Sequence, residues 1–148
     1  MDLRIEEADP GVAATIESRL LASLRSTLTQ AENSSFVLAA RSSTNELIGG
    51  LTASTSYGWL LTKLLWVEES HRHEGLGARL MEKAELKAVS LGCHSAWLET
   101  SNPTAKRFYE GLGYIEFGRL SNDAGQFPES HRRWFLKKPL ERSKDPWI

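Results

Sequence analysis

Ile16, Leu20, Leu24 and Leu28 recur at four-residue steps, the spacing that lines one face of an α-helix. Asp9-Pro10 ahead of them has the chemistry of an N-cap followed by proline at the first helical position. Before that, Leu3-Arg4-Ile5 alternates apolar and charged residues and reads as a short edge strand. "SFVLAAR", residues 35–41, reads as a strand. "SSTNE" after it is turn-rich. "LIGGLTAS" and "WLLTKLLWV" read as two further strands joined through "TSYG", which has hairpin chemistry. The second of the two is almost wholly apolar, the pattern of a strand buried in the middle of a sheet.

Beyond residue 70 the period changes. Leu76, Leu80, Ala84, Ala88 and Leu91 keep a helical face, and Gly92 is a natural stop. "HSAWLET" reads as a strand. Asn102-Pro103 repeats the cap-then-proline signature and opens a helix with a face of Ala105, Phe108, Tyr109 and Leu112, closed by Gly113. "YIEFGRL" and "HRRWFLKKPL" alternate as strands around the polar loop "SNDAGQFPES". The predicted order is β-α-β-β-β-α-β-α-β-β, an α/β chain of the α+β type with a mixed, mostly antiparallel central sheet. The strand–helix–strand piece at 59–100 is expected to be a parallel crossover.

Composition narrows the class. With 148 residues and no repeat or Pro/Gly/Ser linker, one domain spanning 1–148 is expected. Eighteen Lys and Arg against 19 Asp and Glu give a net charge of −1, which argues against a dedicated nucleic-acid binder. A single cysteine, Cys93, leaves no intrachain disulfide and no cysteine zinc site. The acidic "MDLRIEEADP" lacks the build of a signal peptide, and no apolar run is long enough to span a bilayer. A cytoplasmic protein without membrane partners is expected, and no metal.

The chemistry is concentrated at "HRHEGLGARL", residues 71–80. Arg72-x-x-Gly75-x-Gly77 lies between an apolar strand and a helix. A helix N-terminus offers unpaired N–H groups and the positive end of the macrodipole, and glycine lets an anion approach them. The guest implied is a phosphate or pyrophosphate. The stretch is not a P-loop, because Ala78-Arg79 stands where Lys-Ser/Thr is needed. Nor is it a dinucleotide fingerprint, because Leu80 fills the slot of the third small residue. The residues alone leave open a second use of the glycines, tight packing in a structural turn.

Trp66-Val67, the Arg72–Gly77 turn and the later "WLETSNPTAKRFYEGLGYIEFGRL", with "RRWFLKKPL" at the end, resemble the GNAT superfamily of acyl-CoA-dependent N-acyltransferases over about residues 47–140. The resemblance implies helices on both faces of the sheet and a splay between the family's fourth and fifth strands. It implies acetyl-CoA or coenzyme A as cosubstrate. The backbone of Gly75, Leu76, Gly77 and Ala78 would hold the pyrophosphate, with Arg72 and His73 beside it and Arg72 as the charge partner. The pantetheine arm would pair along Trp66-Val67, where a backbone N–H would also serve the oxyanion. Asn102 would contact the arm or cap its helix. Homodimerisation is a family habit, and "RRWFLKK" at the C-terminal side of the sheet has aromatics to bury.

Acyl transfer to an amine requires a deprotonated amine, a stabilised oxyanion and a leaving thiolate. An ammonium with a lysine-like pKa of ~10.4 costs roughly 4–5 kcal/mol to neutralise at pH 7. Tyr109 matches the family tyrosine that protonates the thiolate; a core aromatic is the other use of that ring. For the base, Lys63 stands in the slot where many relatives carry a strand glutamate. Glu99, near the end of the following strand, is the substitute candidate, a solvated strand-end acid being the alternative. The implied activity is transfer of acetyl from acetyl-CoA to a primary amine, small molecule or peptide, by direct attack in a ternary complex. The alternatives are a catalytically silent acyl-CoA-binding module and a general phosphate-binding domain.

Overall fold

A computed structural model describes residues 3–27 and 33–141. They fall into two compact units, Met1–Ala31 and Glu32–Ile148. In the first, Asp9 caps the helix α1 (Val12–Thr27): its Oδ1 accepts from Gly11 N at 2.7 Å, and Val12 N donates to Asp9 O at 2.9 Å. Pro10 therefore fills a position whose N–H would have had no helical acceptor. Leu3-Arg4-Ile5 is not the expected edge strand. It is irregular chain with both apolar side chains exposed, because three alternating residues without a paired strand cannot satisfy a ladder. Ile16 and Leu20 of α1 are exposed too, and Leu28 lies outside the described residues.

The second unit is a six-stranded sheet with two helices. Strands β1 (Ser34–Arg41), β2 (Leu47–Ser56) and β3 (Trp59–Val67) form an antiparallel meander. Tyr57 and Gly58 link β2 to β3, both at positive φ (52° and 81°), as the primed two-residue hairpin turn demands. Helix α2 (Leu76–Ser90) crosses to β4 (Ser95–Thr100), which runs parallel to β3. Helix α3 (Pro103–Gly111) leads to β5 (Ile115–Ser121) and β6 (Arg132–Pro139). The sheet order is β1-β2-β3-β4-β6-β5. The "RRWFLKK" strand is thus interior, paired on both sides, and β5 is the edge; its alternation was that of either position.

Period-two burial in β2 sends Leu51, Ala53 and Thr55 inward, and β3, β4 and β6 contribute Leu60, Leu98 and Leu136 to the same core. Helix α2 buries Leu80, Met81, Ala84 and Ala88 into it. Leu91, expected on that face, is instead the exposed C-cap. Gly92 at φ 93° turns the chain so that Cys93 N reaches Ala88 O at 2.9 Å, the αL stop anticipated for the glycine. Tyr114, just after α3, donates to Glu85 Oε2 of α2 at 3.0 Å, while Lys138 of β6 grips Glu85 Oε1 at 2.6 Å. Burial, followed by the Glu85 charge, holds the Tyr114 phenol far above its ordinary pKa.

Candidate acyl-CoA cleft

Two defects in strand pairing make the site. The parallel pairing of β3 with β4 runs through Trp59↔Ser95, Leu60↔Ala96 and Leu61↔Trp97, and the register goes no further. From there β3 leaves β4, the splay expected from the resemblance. At the same point β3 carries a bulge: Ala53 pairs with Thr62 and Thr52 with Leu64, so Lys63 is the extra residue. The bulge resets the alternation. Leu60 and Thr62 face inward before it, and Leu65 and Val67 after it.

The edge of β3 beyond the bulge is free on the β4 side. Glu68 N donates to Ile48 O of β2 at 2.9 Å. By antiparallel alternation the peptide groups of Leu65 and Val67 then turn away from β2, toward the gap. Arg72 confirms the direction, since its Nε donates to Val67 O at 3.0 Å. This contact also fixes the root of the arginine beside the turn, leaving the far end of a permanently charged fork for an anion.

After β3 a 3₁₀ turn (Glu69–His71) leads into the glycine turn. His73 (φ 68°) and Gly75 (φ 80°) are both left-handed, and Gly75 is the N-cap of α2 without any side-chain cap. The first i→i−4 bond is Arg79 N to Gly75 O at 3.1 Å. The N–H groups of Leu76, Gly77 and Ala78 therefore precede the helical ladder, three donors at the positive end of the dipole. A Cβ at Gly75 would meet nothing within 4 Å, so that glycine answers to φ rather than to space. Gly77 is the reverse. It has no positive φ, and a Cβ there would lie 3.3 Å from Phe108 Cζ and 3.8 Å from Val67 Cγ2. The expectation that its missing side chain clears a path to phosphates is replaced by a nearer cause, the close approach of α3.

Asn102 caps α3 as its sequence suggested, Oδ1 accepting from Thr104 N at 2.9 Å and Ala105 N at 3.4 Å. The next turn brings two rings to the cleft. Tyr109 is 9% exposed and Phe108 is only half-buried, because Tyr109 packs edge-on against both Phe108 (5.2 Å) and Tyr114 (5.9 Å). Burial raises the Tyr109 phenol above its ordinary value, so it stays protonated.

These parts enclose one cleft of about 550 Å³. It is lined by Trp66, Val67, Arg72, His73, Gly75, Leu76, Gly77, Ala78, Asn102 and Tyr109, all anticipated from sequence, and additionally by Leu65, His71, Thr104, Ala105 and Phe108. Glu99 does not join them. It is exposed on β4 opposite Phe135, and the alternation that buries Leu98 with the helices sends Glu99 to the other sheet face. Two other hollows among the described residues, about 540 Å³ beside Arg41 and Arg79 and about 380 Å³ beside Glu85 and Lys138, do not reach the free strand edge, and the first meets the glycine turn only at Leu76. Open amides for a pyrophosphate, a strand edge for a polyamide arm and a neutral phenol beside them are the donor set that an acyl-CoA requires.

The model of the Acetyltransferase (GNAT) family matches residues 4–114. The chain belongs to this family, whose members use acetyl-CoA. Over 83 residues it is 39% identical to acetyltransferase Atu2258 of Agrobacterium fabrum; the match covers 56% of this chain and 61% of that protein, so it speaks for a part of the relative. Over 96 residues it is 36% identical to Blasticidin-S acetyltransferase of Streptomyces morookaense, covering 64% and 68%. Its fold is similar to a crystal structure of an acetyltransferase from Bacillus cereus, at 27% identity with a TM-score of 0.81 over 93% of this chain and 98% of that one.

Proposed function

We propose that this protein is an N-acetyltransferase that moves acetyl from acetyl-CoA to a primary amine of a small molecule by direct attack in a ternary complex. The observation that carries the reading is the convergence, in one cleft, of the unpaired β3 edge at Leu65 and Val67, the three open amides of α2 and the buried Tyr109. The α2 amides and Arg72 hold the pyrophosphate. The strand edge orders the pantetheine arm and offers an N–H to the oxyanion. The amine nitrogen attacks the thioester carbon, a C–N bond forms, and the C–S electron pair leaves on sulfur, toward which Tyr109 donates. The amine's surplus proton goes to a base. Glu99 is the carboxylate proposed for it; because Glu99 is exposed on β4 outside the cleft lining, the proton reaches it through solvent water. The small-molecule class follows the name of the Streptomyces morookaense relative.

Thiol release from acetyl-CoA across a panel of amines, blasticidin S among them, tests the reading. Thermal unfolding with coenzyme A or ADP runs beside it. Coenzyme A at 100 times its Kd stabilises by about 2.7 kcal/mol, which for a chain of this size raises Tm by about 5–10 °C. An unchanged melt refutes the cofactor assignment. A second reading is a silent acyl-CoA-binding module, favoured by Lys63 at the bulge and by a cleft lining that does not include Glu99. It keeps the thermal shift and gives no thiol release with any amine.

A further inference from the structure

Thr62 is 6% exposed, and among the described residues its Oγ1 is the buried side-chain polar atom with no hydrogen-bond partner. A buried hydroxyl left alone is costly, and native proteins seldom keep one without a use. Its place in the fold is specific. It is the first residue of β3 beyond the last pairing with β4, Leu61↔Trp97, and it directly precedes the bulged Lys63. Because the bulge absorbs one residue, Thr62, Leu65 and Val67 are successive inward positions of β3, opposite Ala53, Leu51 and Gly49 of β2. Leu65 and Val67 line the cleft. Thr62 is the next inward side chain toward the closed end of the split.

The spacing fits the cofactor. From Gly49 to Ala53 the strand advances four residues, roughly 14 Å at 3.4 Å each. The pantetheine arm runs about twelve bonds from its phosphate ester oxygen to sulfur, the backbone bond count of about four residues, and so has roughly the same reach when extended. An arm anchored by its pyrophosphate at the glycine turn beside Val67, and lying along the β3 edge, ends level with Thr62. Resting on the acyl-CoA reading above, we propose that Thr62 is the acyl-end binding residue: its hydroxyl donates to the carbonyl oxygen of the thioester, the one acceptor that acetyl-CoA has and coenzyme A lacks.

Binding of acetyl-CoA and of coenzyme A is measured calorimetrically for the wild type, Thr62→Val and Thr62→Ser, with melting curves of each ligand-free chain. Valine keeps the shape and removes the hydroxyl; serine keeps the hydroxyl. The expected result is that Thr62→Val raises the ligand-free Tm by a few degrees, since it removes an unpaired buried group. It should weaken acetyl-CoA by up to about tenfold, the worth of one hydrogen bond, and change coenzyme A less than about twofold. Thr62→Ser should keep the wild-type ratio of the two affinities. An unchanged ratio in a folded Thr62→Val that still binds coenzyme A overturns this inference alone. A lower Tm for Thr62→Val overturns it too, because the hydroxyl is then bonded in the resting protein. A wild-type chain that binds neither ligand overturns it together with the function on which it rests.

Discussion

Tyr109→Phe keeps the ring and removes one oxygen. The ring's contacts, edge-on to Phe108 at 5.2 Å and Tyr114 at 5.9 Å, survive the change, so folding should be nearly unaffected. The chemical loss can be sized. Burial holds the Tyr109 phenol above its ordinary value, which already exceeds that of a thiol, so complete proton transfer to the thiolate is uphill. Tyr109 therefore acts in the transition state chiefly as a hydrogen-bond donor to developing negative charge. Such a bond is worth about 1.5–3 kcal/mol, a factor of roughly 10 to 150 in rate. Turnover of Tyr109→Phe at saturating acetyl-CoA with an accepted amine should fall by about 10²-fold, within the usual range for a positioned acid. Coenzyme A affinity, set at the turn and strand edge, should stay within a few-fold. The upward shift adds a pH signature: the donor is lost only as pH rises through the folded-state pKa, so wild-type activity should show no alkaline loss from this group below about pH 10. Undiminished turnover in a folded, coenzyme-A-binding Tyr109→Phe would refute the assignment and make the ring a packing element.

Gly77→Val should weaken coenzyme A binding and lower stability together, because its side chain enters the Phe108 ring and Val67 at once; a binding loss with an unchanged denaturation midpoint would return the glycine to a purely phosphate-facing role. Alkaline pH should destabilise the fold. The Tyr114 phenol is raised by burial and then by Glu85, so above pH 10 the unfolded chain releases a proton that the native one keeps. Stability is then full below about pH 10 and falls above it by about 1.4 kcal/mol per unit for each such tyrosine. Tyr114→Phe should flatten the slope of Tm against pH there, and an identical slope would show that the group is not linked to folding.

Much of this protein was written locally. The N-caps Asp9 and Asn102, each followed by proline, and the αL stops at Gly92 and Gly113 act through neighbours a few residues away, so the sequence alone placed the helix ends. The six strands of the sheet and the glycine turn followed from apolar patterning and from the rule that a helix start exposes amides. The list of cleft residues followed from resemblance carried on those motifs. What alternation could not supply was long-range pairing. Leu3-Arg4-Ile5 had the right period and no partner; "RRWFLKK" had an edge strand's charges and a central position between β4 and β5. Side-chain patterns give a strand's faces, and its neighbours are decided by how the whole sheet closes its hydrogen bonds. The same holds inside the site. The bulge at Lys63, the end of β3–β4 pairing at Leu61, the Phe108 ring against Gly77, the greater burial of Tyr109 and the unpartnered Thr62 are all relations between segments distant in sequence. They exist only once two strands part and a helix packs across the gap, which is why the tertiary structure decided the cleft's depth and closed end while the sequence had already named its mouth.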